Sequence, residues 1–264
     1  MTIWQHADLS RNPLKHWKSG QKTCYFCNTS LSGLAEQDIP WLVTELNGIY
    51  VCPCCGWWKA EFVNVSVAPD QYTKVISAAT ASLRELDLTD ITTPLEEVKT
   101  YLIAKYNSRK IINPLFFEEV VASVFSNIGY ETIVVGKSNE KDCGIDIIMH
   151  KSNETIGVQV KRYKNRIEAE QIRSLAGALL YRGLTKGIFV TTSDFQSGVY
   201  DTVSTYKKER DYAIELFNAE AFYDALKLSQ IKNINIAIRQ IDKQKVVRNL
   251  VEVERTYEAN PHGP

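Results

Sequence analysis

Residues 142–162 read DCGIDIIMHKSNETIGVQVKR, and this stretch decides both the fold and the chemistry. The β-branched runs IDIIM and IGVQV flank the turn-forming sequence KSNE, which predicts an antiparallel hairpin. Because strand side chains alternate between faces, Gln159 and Lys161 share one face, and Asp146 stands at the start of the partner strand. An acid followed by Gln-x-Lys on the next strand is a way to hold a divalent cation beside an amine. The alternative is that all three side chains decorate the solvent face of an edge strand.

The elements around this hairpin follow the order αβββαβ. The predicted elements are a helix at 114–128, strands at 131–135, 145–149 and 156–161, a helix at 167–181, a strand at 187–191, a helix at 196–210, a strand at 213–217 and a helix at 219–228. A helix between two strands implies a right-handed crossover, and the apolar run IFV is typical of a strand covered on both faces. The pattern predicts an α/β fold with a mixed sheet flanked by helices. Residues 232–264 alternate between helix and strand signals and receive no assignment.

One acid in the first of these helices is out of place. Asn113 is a helix N-cap acceptor before a proline, and the helix it begins has a long apolar stripe. Glu118 lies at the edge of that stripe, since Val121 and Phe125 follow it by three and seven positions. A carboxylate that leans towards a core is costly without a cationic partner, and a metal ion supplies one.

The N-terminal third carries a metal-ligand pattern. Cys24 and Cys27 form one C-x-x-C pair, and Cys52 and Cys55 form a second within CPCCG. Two such pairs bring four thiolates to one tetrahedral zinc ion, and CPCCG resembles the second knuckle of zinc ribbons. Cys54 is then a bystander or a substitute for a neighbouring ligand. A redox C-x-x-C site is the alternative, but it calls for a thioredoxin-like βαβ context that these residues do not show.

A closed four-thiolate site is structural, because no coordination position remains for water or substrate. The aromatic residues beside the cysteines are suited to stacking on bases or to covering a small core, and the core role is favoured. They are Tyr25, Phe26, Trp57 and Trp58.

The chain organisation predicted from these patterns has three parts. Residues 1–66 form the zinc ribbon, in which Asn47-Gly48 joins strands at 41–46 and 49–51 as a hairpin turn. Residues 67–93 form a helical connector, with a helix at 72–86. Residues 94–264 form the domain that contains the hairpin, beginning with a helix at 95–106.

Composition and charge limit the classes of function. The 264 residues are 44% hydrophobic and 23% charged, which is typical of a globular protein, and no apolar stretch is long enough to span a bilayer. The N-terminus lacks the features of a secretory signal, so we expect a cytoplasmic protein without membrane association. The 31 basic residues equal the 31 acidic ones, so any binding to nucleic acid must be local. The basic cluster Arg162, Lys164 and Arg166 beside the strand pair is the candidate nucleic-acid contact, with an ordinary solvated loop as the alternative.

Taken in order, several of these segments resemble the Mrr-like branch of the PD-(D/E)xK restriction-endonuclease superfamily. They are FFEEVVASVFSNIGY, DCGIDIIMH, VQVKR, a helix containing LAGALL, and GIFVTTSDF. The resemblance covers residues 94–228 and implies a restriction-endonuclease-like αβββαβ core. It places the helix acid on Glu118, the second acid on Asp146 and the Gln-x-Lys element on Gln159 and Lys161. Cys143 stands where the family commonly has glycine.

The resemblance implies a metal-dependent endonuclease acting on DNA in restriction or anti-phage defence. Asp146, Glu118 and the backbone carbonyl of Val160 would bind Mg²⁺ or Mn²⁺, and Lys161 would orient or deprotonate the attacking water. Gln159 occupies the place of a carboxylate and would offer only a neutral oxygen, so the metal site should be weak. Asp142 is expected to hold the loop in place rather than to bind metal.

Three further matters stay open at this point. One is an inactive nuclease fold that binds DNA or a protein partner and uses the zinc ribbon for recognition. Another is RNA as the substrate, because the phosphate chemistry is shared. Cleavage of both DNA strands usually calls for two active sites, so a homodimer or a complex with other defence proteins is expected.

Overall fold

The computed structural model of the chain describes residues 3–7, 17–18, 20–33, 48–135, 143–231, 241 and 243–259. The chain divides into two compact units, Met1–Glu85 with Ile231–Pro264, and Leu86–Gln230. The predicted boundaries at 66/67 and 93/94 differ from this division, as does the assignment of the last 34 residues. None of the described helices is long and apolar enough to cross a membrane.

The elements follow one another in chain order. They are β1 (Trp4–His6), β2 (Ser32–Gly33), β3 (Gly48–Val51), β4 (Trp58–Val67), β5 (Gln71–Leu83), α1 (Leu95–Ala104), a 3₁₀ helix (Tyr106–Lys110), α2 (Pro114–Asn127), β6 (Glu131–Val134), β7 (Ile147–Lys151), β8 (Glu154–Lys161), α3 (Ala169–Tyr181), β9 (Lys186–Thr191), α4 (Ser197–Arg210), β10 (Ala213–Phe217), α5 (Ala219–Ser229), α6 (Lys243–Arg248) and β11 (Val251–Ala259).

The first unit is built on a six-stranded sheet in the order β1-β5-β4-β3-β2, with β11 also paired to β5. The helix predicted at 72–86 is therefore wrong, because β5 occupies this segment. Its apolar residues Val75, Ala78, Ala79 and Leu83 have helical spacing, but β4 pairs with β5 along nine residues across a tight turn at Pro69-Asp70. Cross-strand partners and the β-branched residues of β5 outweigh the helix propensity of alanine. The predicted strand at 41–46 and Asn47 of the predicted turn lie outside the described residues, and Gly48 is the first residue of β3.

The second unit contains a five-stranded mixed sheet in the order β10-β9-β8-β7-β6. The strands β6, β7 and β8 are antiparallel neighbours, whereas β8, β9 and β10 run parallel. The predicted αβββαβ order is confirmed as α2-β6-β7-β8-α3-β9. The predicted hairpin is confirmed as well, since Lys151 pairs with Glu154 across a two-residue turn whose Ser152 has a φ of 55°.

Helices cover both faces of this sheet. Leu179 of α3 lies over Gly157 and Gly187, two paired strand glycines where a Cβ atom would approach its methyl carbons to 2.8 and 2.6 Å. Phe125 of α2 packs instead on Phe217 of β10, at 5.6 Å between ring centroids. Because the neighbouring residue of β10, Leu216, packs with the α3 and α4 cluster, α2 lies on the opposite face. The layers are α1, α2 and α5, then the sheet, then α3 and α4.

Candidate functional site

Asp146 immediately precedes β7 and is buried at 9% exposure. Its backbone amide donates to the carbonyl of Val158, which continues the β7–β8 ladder by one residue. Its carboxylate Oδ2 then accepts a hydrogen bond from the backbone amide of Val160 at 2.6 Å. The acid thus takes the place that a further residue of β7 would occupy. It lies at the end of β8, the central strand of the sheet, so the edge-strand alternative is wrong.

Gln159 is buried at 4% exposure, and its Oε1 has no hydrogen-bond partner among the described residues. A buried amide oxygen without a donor costs on the order of 1–3 kcal/mol, so such an atom needs an explanation. A divalent cation bound to this neutral oxygen would explain it, because hard cations prefer carboxylate and carbonyl oxygens. Gln159 and the carboxylate of Asp146 therefore fit a Mg²⁺ or Mn²⁺ site.

The backbone of Val160 also faces this site. The Val158 carbonyl and the Val160 amide both bond to Asp146, whereas the Lys161 carbonyl accepts from Thr192 on the β9 side. In a strand the amide and carbonyl of one residue point to the same side, so the Val160 carbonyl is directed past the end of β7. Lys161, partly buried, follows at the end of β8 on the face of Gln159.

Glu118 lies in the second turn of α2 and is partly buried. It belongs to the helix layer that packs on β6 and β8 from the face opposite α3. The structure thus groups Asp146, Gln159, Val160 and Lys161 through one strand pair, while Glu118 lies on a separate element, α2. Asp142 lies outside the described residues. Cys143, exposed and with a φ of 45°, adopts a backbone conformation that glycine favours.

Two residues that the sequence did not single out support the end of β8. Thr192, fully buried, donates from its backbone amide to the Lys161 carbonyl and from its Oγ1 to the Tyr163 carbonyl at 2.9 Å. Arg109 donates from Nε to the Thr192 carbonyl at 3.0 Å. The signal for Thr192 was present, because a buried polar residue just past a parallel strand often marks a site. No pattern pointed to Arg109.

The predicted nucleic-acid contacts begin directly after Lys161. Lys164 and Arg166 are exposed, and Arg166 lies 3.9 Å from the carboxylate of Asp194. Arg162 is partly buried, and its Nη1 donates to the Lys110 carbonyl at 2.8 Å. Part of the Arg162 guanidinium is thus committed to the protein's own backbone.

The four predicted zinc ligands meet in the first unit. The sulfur atoms of Cys24, Cys27, Cys52 and Cys55 all lie within 4.8 Å of one another, and all four residues are buried. Distances of 3.5 Å from Cys24 to Cys55 and 3.4 Å from Cys27 to Cys52 are close to the ~3.8 Å edge of a zinc–sulfur tetrahedron. All six cysteines are free thiols, and the cluster leaves out Cys54.

The two knuckles have the same backbone form. Asn28 and Gly56 have positive φ, and their amides donate to the carbonyls of Cys24 and Cys52 respectively. Burial raises the pKa of the Cys55 thiol well above its usual value, and hydrogen bonds from the neighbouring thiols lower the pKa of Cys27. Zinc would displace the protons that these sulfurs share, so the arrangement fits a structural zinc ion.

The aromatic residues around the cysteines mostly belong to the core of the first unit. Trp57 is completely buried, and its indole nitrogen donates to the Ala81 carbonyl at 2.9 Å, while Trp58 is also buried. Phe26 is partly buried and packs edge-on against Trp57. Only Tyr25 of the four is exposed, at 50%. The core role is thus confirmed for both tryptophans.

Residues 109–226 match the sequence model of the restriction endonuclease family Mrr_cat. The type IV methyl-directed restriction enzyme EcoKMrr of Escherichia coli (strain K12) is 31% identical over 98 residues, which cover 34% of this chain and 32% of that enzyme. The chain thus spans about a third of the length of the curated relative that it matches.

Solved structures with similarity to this chain include two restriction endonucleases. MspJI, in complex with a 27-mer oligonucleotide, is 16% identical with a TM-score of 0.32, over 56% of this chain and 34% of that one. The DNA modification-dependent enzyme AspBHI is 14% identical with a TM-score of 0.37, over 63% of this chain and 46% of that one.

Proposed function

We propose that this chain is a metal-dependent endonuclease that hydrolyses phosphodiester bonds in DNA, because residues 109–226 match the sequence model of the Mrr_cat restriction endonuclease family. The proposal includes a cytoplasmic role in restriction or anti-phage defence. The observation that supports it best is the buried pair Asp146 and Gln159 beside Lys161 at the end of the central strand.

Hydrolysis of a phosphodiester needs charge neutralised on the phosphate and a water made nucleophilic near neutral pH. Bound Mg²⁺ or Mn²⁺ supplies Lewis-acid stabilisation and lowers the pKa of water. Asp146, Gln159 Oε1 and the Val160 carbonyl would hold the ion, with Glu118 reaching it from α2. The hydrogen bond from the Val160 amide holds the Asp146 carboxylate in one orientation.

Lys161 has the second role. Its amino group, at the strand end beside Asp146, orients the attacking water. In the neutral form the amine takes the proton of that water, and in the charged form it offsets negative charge in the transition state. Gln159 brings no charge to the metal site. We therefore expect weak metal binding that tightens when the phosphates of the nucleic acid are present.

Cleavage of supercoiled plasmid in Mg²⁺ or Mn²⁺ tests the proposal. Asp146→Asn and Lys161→Ala should each lower the rate by about 100-fold or more, because each removes a group that acts in the chemical step. Lys186→Ala is the matched control, since Lys186 is a partly exposed lysine at the other end of the same sheet, paired with Glu154. It should cleave like the natural protein.

Equal background activity in all variants would overturn the proposal and leave an inactive fold that binds DNA or a partner. Methylated duplex, unmethylated duplex, single-stranded DNA and RNA in the same assay identify the substrate class. The form of the cleaved plasmid also reports the oligomeric state, because a homodimer with two active sites should produce linear plasmid without accumulation of nicked circles.

A further inference from the structure

Two chain segments come together where β8 ends. The first, residues 105–110, is the 3₁₀ helix with the residue before it, and the second, residues 161–166, is the end of β8 with the loop after it. Arg162 donates to the Lys110 carbonyl and Arg109 donates to the Thr192 carbonyl, so these hydrogen bonds hold both segments beside the end of β8. Their twelve residues, KYNSRK and KRYKNR, include seven cations and no acid in a chain whose net charge is zero.

The cations of these segments have two different tasks. Arg109 lies over the Tyr106 ring at 4.5 Å, and its guanidinium also donates to the Tyr106 carbonyl and to Asn107. The Arg162 guanidinium is committed to Lys110, with Nε buried. The main role of both arginines is therefore to hold the two segments in place. The side chains of Lys110 and Lys164 are exposed instead, and the Arg166 side chain is 67% exposed.

The 3₁₀ helix is held rigidly enough to present its lysine in a fixed position. The Tyr106 hydroxyl donates to the Ala219 carbonyl at 2.5 Å, and its ring stacks on Tyr223 with centroids 4.4 Å apart. Burial raises the pKa of Tyr106, so this hydroxyl remains a donor at neutral pH. A surface that is formed before binding loses little entropy when a ligand arrives.

We propose that Lys110, Lys164 and Arg166 form one phosphate-binding surface for duplex DNA beside the scissile bond, with Arg109 and Arg162 holding it in shape. The inference rests on the proposed function, and it adds the 3₁₀ helix, 50 residues earlier in the chain, to the contacts after β8. The surface continues directly from Lys161, so a duplex whose phosphate reaches Asp146 and Lys161 passes over it. Exposed lysines and arginines bind the phosphate backbone irrespective of sequence, and of these three cations Arg166 also lies 3.9 Å from the Asp194 carboxylate.

The test is the salt dependence of DNA binding. An Asp146→Asn background, which prevents cleavage, is titrated with fluorescent duplex at several salt concentrations. Each phosphate contact contributes about 0.9 to the slope of log K against log salt concentration. Lys110→Ala should lower this slope by about 1 and the Lys110→Ala, Lys164→Ala double variant by about 2, with binding weakened by about 3- to 10-fold per residue at ~0.1 M salt. Lys208→Ala, at an exposed lysine in the last turn of α4, is the control.

The proposed surface is wrong if both variants have the same salt slope and the same DNA affinity as the control, even if the natural protein cleaves DNA. Weaker binding with an unchanged slope would also overturn it, because that result indicates lost packing rather than a lost phosphate contact. Failure of the proposed function is distinguishable, since the natural protein then shows no cleavage above background in Mg²⁺ or Mn²⁺, whatever the salt slopes of the variants. Lys110→Gln, which keeps the length of the side chain, should reproduce the slope change of Lys110→Ala. Preference for RNA over duplex DNA in the same titration also contradicts the proposal.

Discussion

The four-cysteine site and the site at the end of β8 are built in opposite ways. The cysteines approach one another as two local knuckles of matching form, they are buried, and they satisfy one another. The strand-end site takes Asp146 from the residue before β7 and Gln159, Val160 and Lys161 from β8, and its buried Gln159 Oε1 has no donor among the described residues. The cysteine cluster is formed by two short turns, whereas the strand-end group depends on the pairing of two strands.

This difference explains why the two sites put different demands on the fold. Four thiolates around one zinc ion would leave no open coordination position, so the first site fits a structural role. Asp146, Gln159 and Lys161 depend on the register of one strand pair, because a shift by one residue would send Gln159 and Lys161 to the other face. The strand-end site therefore depends on the surrounding sheet to hold its residues in place. Each cysteine knuckle is held instead by hydrogen bonds within its own turn.

Loss of zinc gives the largest expected effect, and it should stay within the first unit. Structural zinc contributes about 10–16 kcal/mol in small zinc-finger peptides at neutral pH, so Cys52→Ser should lose the metal and the folded form of β3, β4 and β5. Elemental analysis, with about one zinc per chain in the natural protein, and hydrogen exchange of these strands measure the two losses. Cys54→Ser is the control, because Cys54 is buried beside the cluster but outside it. A natural protein without zinc, or a Cys52→Ser variant that keeps it, would contradict the prediction.

The same contrast, between local turns and long-range pairing, determines how much of each region can be predicted from the sequence. The cysteine spacing predicts all four ligands, because each knuckle is a local structure within five residues. Turn and strand signals likewise predict the β7–β8 hairpin and place Asp146, Gln159 and Lys161. The pattern fails at β5, where apolar residues at helical spacing, Val75, Ala78, Ala79 and Leu83, predict a helix although the segment is a strand paired with β4. It also fails for Arg109, since a contact with Thr192, 83 residues away, leaves no local pattern.

Thr192 offers a test of whether the strand-end site depends on support. Thr192→Val keeps the shape of the side chain but removes the hydroxyl that donates to the Tyr163 carbonyl. We expect cleavage to slow by about 10- to 100-fold, as for other residues that orient metal ligands, with a smaller change in Mn²⁺ affinity. Single-turnover cleavage and calorimetric titration with Mn²⁺ measure the two.

Thr192→Ser is the matched variant, because it keeps the hydroxyl and should recover most of the rate. A serine variant as slow as the valine variant would indicate that the packing of the methyl group matters, rather than the hydrogen bond. Full activity in Thr192→Val would show that the end of β8 needs no such support.

The glycine pair beneath α3 gives a smaller effect, on stability. A Cβ atom at Gly187 would lie 2.6 Å from Cδ1 of Leu179, which is completely buried, so the helix or the side chain must shift. Gly187→Ala should lower the free energy of unfolding by about 1–3 kcal/mol, the usual cost of overpacking. Gly177→Ala, at an exposed position of α3 with no atom within 4 Å of the new Cβ, should be neutral or stabilise by up to about 1 kcal/mol. Urea denaturation compares them, and equal stability of the two variants would rule out close packing of Leu179 on the sheet.

The smallest expected effect is the response of Asp194 to acid. Hydrogen bonds from the Phe195 amide and from Asn218 hold the pKa of Asp194 below its usual value. A lowered pKa contributes stability that is present above the unfolded pKa of about 3.9 and is lost as the pH falls through the folded value. The contribution is small, because the side chain is about half exposed.

Zinc thiolates take up protons at higher pH than this, since zinc must be released before the sulfurs are protonated. In hydrogen exchange at about pH 4.5, β3 and β4 should therefore lose protection while the peptides around Asp194 keep theirs. Loss of protection in the opposite order would mean that the strand-end region is the less stable of the two, and that the metal is not what holds the cysteine knuckles together.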